Sequence, residues 1–129
     1  MAIRRIFLPV ILLSVASGAA SAQDHKIFGA CSYYGRKDSI KEGTTFILAV
    51  SRAFEMKAKH NDPAQTAREA TYEFNSYVVA RVNGYNGKGS CLWFNSKREA
   101  SEWINNKIAD GNKSKNIQII STDFEASQD

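Results

Sequence analysis

The first 22 residues decide which part of this chain folds and in which compartment. Arg4 and Arg5 precede a short apolar stretch, and small residues follow it up to Ala22. The stretch is too short to span a bilayer, which takes about 20 residues, and the small-x-small ending suits signal peptidase. We therefore expect a signal peptide over residues 1–22 and one domain over residues 23–129, in a periplasmic or secreted protein.

Two export routes remain open for this leader. The run from Arg4 to Leu8 resembles a twin-arginine signal, but paired arginines are also common in the leaders of the general secretory route. No cysteine follows Ala22 directly, so we expect no lipid attachment and no stable membrane anchor.

The charge of the mature chain argues against nucleic acid as a partner. Removing Arg4 and Arg5 with the leader lowers the formal net charge from +4 to +2. The remaining lysines and arginines are interleaved with acids, whereas a nucleic-acid binder shows a clustered basic stripe.

Cys31 and Cys91 are the only two cysteines. Export into an oxidising compartment favours their pairing, so we predict one disulfide. It would close a loop of about 60 residues, which the chain-entropy account values at about 4 kcal/mol. A catalytic thiol is disfavoured, because neither cysteine lies in a Cys-x-x-Cys motif or beside a histidine.

The first half of the mature chain has the pattern of two strands. The first is predicted over residues 26–34, followed by a charged turn at residues 36–38. The second is predicted over residues 44–56, where Phe46, Leu48, Val50, Phe54 and Met56 recur with a period of two. A helix stays open as the alternative there, because Phe46, Val50 and Phe54 also fit helical spacing.

Two helices are marked by their caps. Asp62, Pro63 and Gln65 form an N-terminal signature, and the apolar stripe that follows runs to about Asn83, before Gly84. Ser96 and Glu99 form a second capping box, which opens a helix that ends at Gly111. The second helix places Ala100, Trp103, Ile104 and Ile108 on one face.

The remaining segments complete the order ββαβαβ. Residues 85–89 are rich in turn formers and predict a loop, residues 90–95 predict a strand, and residues 117–120 predict the last strand; the tail after Phe124 is expected to fray. The order suggests an α+β fold, with a four-stranded mixed sheet and both helices on one face.

The last third of the chain resembles another group of sequences. Its segments are Cys91-Leu92-Trp93-Phe94, then Ser96, Glu99 and Ala100, and finally residues 120–124. They resemble small exported bacterial α+β proteins of uncharacterised function. The resemblance implies a periplasmic protein and no catalytic residue.

The residues available for chemistry are few. A transition-metal site needs clustered ligands, and the mature chain has only His25 and His60, far apart in sequence, so we expect no metal and no cofactor. Carboxylate pairs at helical spacing, Glu69 with Glu73 and Glu99 with Glu102, could serve a hydrolase. Neighbouring basic residues favour ordinary surface pairing instead, so an enzyme is the less favoured interpretation and no catalytic residue is assigned.

Surface recognition is the function that remains. Tyr33, Tyr34, Tyr85 and Trp93 are amphipathic aromatic residues in or beside strands, and such residues are enriched in binding surfaces. We expect one of Tyr33 and Tyr34 to face outward, because neighbours on a strand point to opposite faces.

These observations predict an exported binding module. Its partner would be a protein, which makes the chain an inhibitor or an immunity-type protein. The alternative is a domain that binds peptidoglycan or another envelope polysaccharide, and the third candidate is a carboxylate-based hydrolase.

Overall fold

The element order follows the predicted ββαβαβ pattern, except that the second strand is divided. The computed structural model describes residues 25–127, so the predicted signal peptide lies outside the described residues. The elements are β1 His25–Ser39, β2 Gly43–Val50, β3 Phe54–Ala58, α1 Pro63–Arg81, β4 Asn86–Phe94, α2 Lys97–Asn112 and β5 Ile117–Ser121, with a short 3-10 turn at Lys59–Asn61.

The long strand β1 is the centre of a mixed five-stranded sheet. β2 and β3 both pair with one edge of β1 in antiparallel fashion, and β4 pairs antiparallel with its other edge. β5 extends the sheet beyond β2 as its parallel neighbour. Since β2 and β3 lie end to end, the sheet is four strands wide in the order β4, β1, β2 with β3, and β5.

A bulge separates β2 from β3. Ser32 pairs with Val50 whereas Gly29 pairs with Phe54, so three steps along β1 correspond to four along its partner. The extra residue moves Phe54 and Met56 to the face opposite Val50, although strict alternation from the sequence would place all three on one face. Gly29 makes this packing possible, because a Cβ there would lie 2.7 Å from the Phe54 ring.

Each face of the sheet is covered by one helix, so the prediction of both helices on one face is wrong. α1 packs Phe74 and Val78 into a cluster with Cys31 and Tyr33, and we call this side of the sheet the α1 face. α2 packs its predicted apolar stripe on the other side, the α2 face, into a cluster that contains Ala30, Leu48, Val50, Ala100 and Ile104.

The direction of the two crossovers explains this placement. The connection from β3 through α1 to β4 crosses β1 in one direction, and the connection from β4 through α2 to β5 crosses the sheet in the opposite direction. Crossovers of the same hand that travel in opposite directions must lie on opposite faces.

The predicted disulfide between Cys31 and Cys91 is confirmed. The two cysteines are directly paired across β1 and β4, with Cα atoms 4.0 Å apart. Both are buried against α1. The bond therefore ties an edge strand to the centre of the sheet.

Side chains of α1 also cover the outer edge of β4. The Cys91 amide donates to Thr71 Oγ1 at 2.9 Å, and the Gly89 amide donates to Asn75 Oδ1 at 2.8 Å. The Asn75 amide group in turn donates to the Gly89 carbonyl at 3.1 Å. Asn75 thus makes the pair of bonds that the backbone of a neighbouring strand would make.

Both predicted helix N-caps are confirmed. The Asp62 carboxylate accepts from the Gln65 amide at 3.1 Å, and Ser96 Oγ accepts from the Glu99 amide at 3.1 Å. Gly84, at the predicted stop of α1, has a positive φ of 86°. None of the helices over residues 25–127 has the length and apolarity that crossing a membrane demands.

Two predicted loops are strand instead. Residues 36–38 belong to β1, and the turn lies at residues 40–42. Residues 86–89 begin β4, where Gly87 opposes Gly35. Glycines suggest a loop in the sequence, but here they are needed for close packing, because a Cβ on Gly87 would lie 2.6 Å from the Gly35 Cα.

The C-terminal tail docks rather than frays. Phe124 packs edge to face against Phe54, Phe74 and Tyr77. Ala126 is buried, and the Ser127 amide donates to Glu73 Oε1 at 2.9 Å. The tail therefore completes the cluster on the α1 face.

Candidate binding surface

The four aromatic residues singled out from the sequence do not form one cluster. Tyr33, Tyr85 and Trp93 are on the α1 face, and Tyr34 is on the α2 face, as the strand register and contacts place them. Tyr33 is 2% exposed and belongs to the core. Tyr34 is 51% exposed, so it is the outward member of the pair, in the alternation that the strand predicts.

Tyr85 and Trp93 have different surroundings. Tyr85 is half-buried, with its hydroxyl 3.4 Å from Thr45 Oγ1 and the Lys37 ammonium 5.6 Å from its ring centre. Trp93 opposes Gly29 near the opposite end of β4 and is 37% exposed. These two side chains support no shared site with Tyr34.

The α2 face is only partly covered, and its exposed part forms a continuous surface. We call it the open sheet surface and define it by Tyr34, Phe46, Lys88, Ser90 and Leu92. Register places these side chains on the same face, because Lys88 opposes Tyr34, Ser90 opposes Ser32 and Leu92 opposes Ala30. α2 buries Ala30 completely but leaves Leu92 43% exposed.

Aromatic stacking makes part of this surface rigid. The rings of Tyr34 and Phe46 stack with centroids 5.5 Å apart and planes inclined by 23°. One ring supports the other, so the outward side of Tyr34 is presented to solvent in a defined orientation.

Two basic side chains, Lys88 within the open sheet surface and Arg36 beside it, lie at this end of the α2 face. Lys88 makes no ion pair within residues 25–127. Arg36, which opposes Phe46, donates to Asp38 Oδ1 at 3.0 Å. A hydrogen bond from Thr44, and then the Arg36 guanidinium, hold the pKa of Asp38 below its ordinary value.

A cleft lies elsewhere on the α2 face, beside the bulge. It has a volume of about 670 Å³ and lies between α2, the bulge and the tail. Arg52 and Lys97 line it together with Glu55 and Glu125, so its basic and acidic groups are equal in number. Arg52 is already paired with Asp123 at 3.2 Å. The cleft therefore favours neither anions nor cations.

The acids considered for catalysis make structural contacts. Glu69 Oε1 lies 3.7 Å from Lys59 Nζ, and Glu73 accepts from the tail. Glu99 belongs to the α2 cap, and Glu102 pairs with Arg98 at 3.3 Å.

The two histidines lie in different elements of the fold. His25 begins β1, and His60 is exposed in the 3-10 turn with a positive φ of 53°. No group of three or more metal-ligating side chains occurs in the part of the chain that the structure describes.

Sequence reasoning missed four members of the open sheet surface, namely Phe46, Lys88, Ser90 and Leu92. Leu92 looks like an ordinary core residue of an apolar strand, and Lys88 lies in a segment that was predicted to be a loop. Only the register of β4 against β1 places Lys88 and Leu92 on the same face as Tyr34.

Comparison with known proteins identifies no relative. The chain matches no protein-family model, no curated protein and no solved structure at a significant level.

Proposed function

We propose that the chain is an exported binding protein that recognises a protein partner through the open sheet surface. The observation that carries the proposal is the exposure of Tyr34 and Leu92 on a face whose remainder is packed under α2. Large apolar side chains that gather on one surface mark interaction sites more often than scattered ones do.

The composition of the surface supports a protein as the occupant. Tyrosine is among the residues that dominate binding energy at protein interfaces, and the Tyr34–Phe46 stack loses little freedom on binding. The open sheet surface is part of a pleated sheet, so it offers a broad area to a partner of matching shape.

Charge narrows the class of partner. Lys88 lies directly opposite Tyr34 and makes no ion pair within residues 25–127, so a partner that places an acidic residue beside its apolar contact with Tyr34 is complementary. An inhibitor or an immunity-type protein would bind in this way.

The covalent framework supports an exported location. The Cys31–Cys91 disulfide is buried in the core, and structural disulfides persist in oxidising compartments. The leader predicted over residues 1–22 would bring the chain to the periplasm or the medium.

The test compares capture of a partner by matched variants of the mature chain. Tyr34→Ala should weaken affinity for a stoichiometric envelope protein by about 2 kcal/mol, or roughly 30-fold, with little loss of stability. Tyr72→Ala removes an exposed tyrosine of α1 and serves as the control. Tyr33→Ala should instead lower folding stability by about 3 kcal/mol.

Three outcomes separate the alternatives. Selective loss of the partner with Tyr34→Ala supports the proposal, above all if added salt and Lys88→Glu weaken the same complex. Equal capture by the Tyr34 and Tyr72 variants refutes it. Retention on purified cell wall that depends on Tyr34 would favour an envelope polysaccharide as the ligand.

A further inference from the structure

The outer edge of β5 has a row of unpaired backbone groups. The Phe46 amide donates to the Asn116 carbonyl at 2.9 Å, and the Thr122 amide donates to the Val50 carbonyl at 2.8 Å. In a parallel ladder, alternate residues of a strand direct both backbone groups to the same neighbour. Even-numbered residues of β5 therefore bond to β2, and Ile117, Ile119 and Ser121 direct their amides and carbonyls away from the sheet.

None of the described residues covers this edge. β5 pairs with β2 alone, and no side chain bonds to its outward backbone groups within residues 25–127. Proteins commonly protect an edge with lysine, proline or a bulge. The sequence Ile-Gln-Ile-Ile-Ser of β5 contains neither lysine nor proline, and its register with β2 is regular.

We propose that β5 is a self-association site, where a second copy of this chain adds its own β5 in antiparallel orientation. A two-fold axis through Ile119 would pair Ile119 with its copy and Ile117 with Ser121. This register uses every outward amide and carbonyl of the strand, and it joins the two sheets into one.

Charge on the flanks of β5 selects the antiparallel orientation. Lys113 and Lys115 precede the strand, and Asp123 and Glu125 follow it. In an antiparallel pair the start of one copy's strand, preceded by Lys115, lies beside the end of the other copy's strand, which is followed by Asp123. Asp123 already pairs with Arg52 at 3.2 Å on an exposed surface, so Lys115 of the other copy would join that pair. A parallel arrangement would instead place like charges together, which is unfavourable.

The first test measures the mass of the mature chain by sedimentation at increasing concentration. We expect a reversible dimer, and Ser121→Pro should raise its dissociation constant at least about tenfold. Proline removes one outward amide per copy, and an edge strand tolerates it where the amide faces outward. Thermal unfolding of the variant monitors the fold.

Several results would overturn the proposal. A chain that stays monomeric up to millimolar concentration has no such site. A dimer that Ser121→Pro leaves unchanged is formed elsewhere, and one that Tyr34→Ala abolishes is formed by the open sheet surface. The proposed function stands or falls separately, since Tyr34 is not on β5.

The second test probes orientation by exchanging charges. Lys115→Glu and Asp123→Lys should each weaken the dimer, and the double variant should restore it. Arg68→Glu makes the same change of charge on α1 and should leave dimerisation unaffected. Failure of the double variant to recover would contradict the antiparallel register.

Discussion

The two edges of the sheet differ in whether their outward backbone groups have hydrogen-bond partners. At β4, a disulfide ties the strand to β1, and Thr71 and Asn75 bond to its outward backbone groups. At β5, the outward groups of three residues have no partner among the described residues. The comparison teaches that edge protection in this fold comes from the helix that lies beside the edge.

The spacing between residues on α1 matches the spacing between residues on β4, which explains why α1 can protect this edge. Thr71 and Asn75 are four residues apart, a rise of about 6 Å along a helix. Gly89 and Cys91 are two residues apart, about 6.8 Å along a strand. These two distances nearly match, so two side chains on one face of the helix can bond to successive outward amides of the strand.

The largest expected effect comes from removing the disulfide. Cys31→Ala with Cys91→Ala should lower the free energy of unfolding by about 4 kcal/mol, because the unfolded chain regains the freedom that the closed loop denied it. Urea unfolding measures the loss. Gln118→Ala on β5 is the control and should stay within about 0.5 kcal/mol of the parent; equal effects would remove the contrast between the edges.

Asn75→Ala should have the next largest effect. It leaves the amide and carbonyl of Gly89 without partners at a buried position, which should cost about 2 kcal/mol. Asn106→Ala, an exposed asparagine of α2, is the matched control. If the Asn75 variant also self-associates through β4, then the Asn75 side chain protects this edge. Unchanged stability would show that water replaces the side chain.

Thr71→Val should have a smaller effect. Valine preserves the shape of threonine but cannot accept from the Cys91 amide, a bond of 2.9 Å, and the loss should be about 1 kcal/mol. Thr71→Ser retains the hydroxyl and should recover most of the stability. Equal melting temperatures for the valine and parent proteins would contradict the role of this hydroxyl.

The subtlest difference between the edges should appear in amide exchange, without any substitution. In dilute solution the amides of Gly89 and Cys91 should exchange slowly, and those of Ile117, Ile119 and Ser121 should exchange fast. Raising the protein concentration should protect only the second group, because dimerisation would bond those amides. Slow exchange of the β5 amides in dilute protein would show that this edge is already covered.

Local signals in the sequence were enough for several elements. The capping residues Asp62 and Ser96 bond to backbone amides a few residues away, so their effect needs no distant partner. The pairing of Cys31 with Cys91 followed because no other cysteine was available. Strand over residues 44–56 was also predicted, although the bulge within it was not.

The predictions that failed depended on distant contacts. Gly87 looked like a turn former until β1 proved long enough to pair with it. The tail after Phe124 was expected to fray, but Ala126 is buried and the Ser127 amide bonds to Glu73 of α1. The open sheet surface could be predicted only through Tyr34, because its other members depend on register.

The amino-acid sequence by itself determined the order of elements, the helix starts and the covalent link, since each depends on near neighbours or on a unique pair of cysteines. Tertiary structure decided which face each helix covers, which half of the α2 face stays open, and which sheet edge is left unprotected. The physical reason is that strand order and register are properties of the whole sheet. A shift of one residue, such as the bulge after Val50, exchanges the faces of every residue that follows in the strand.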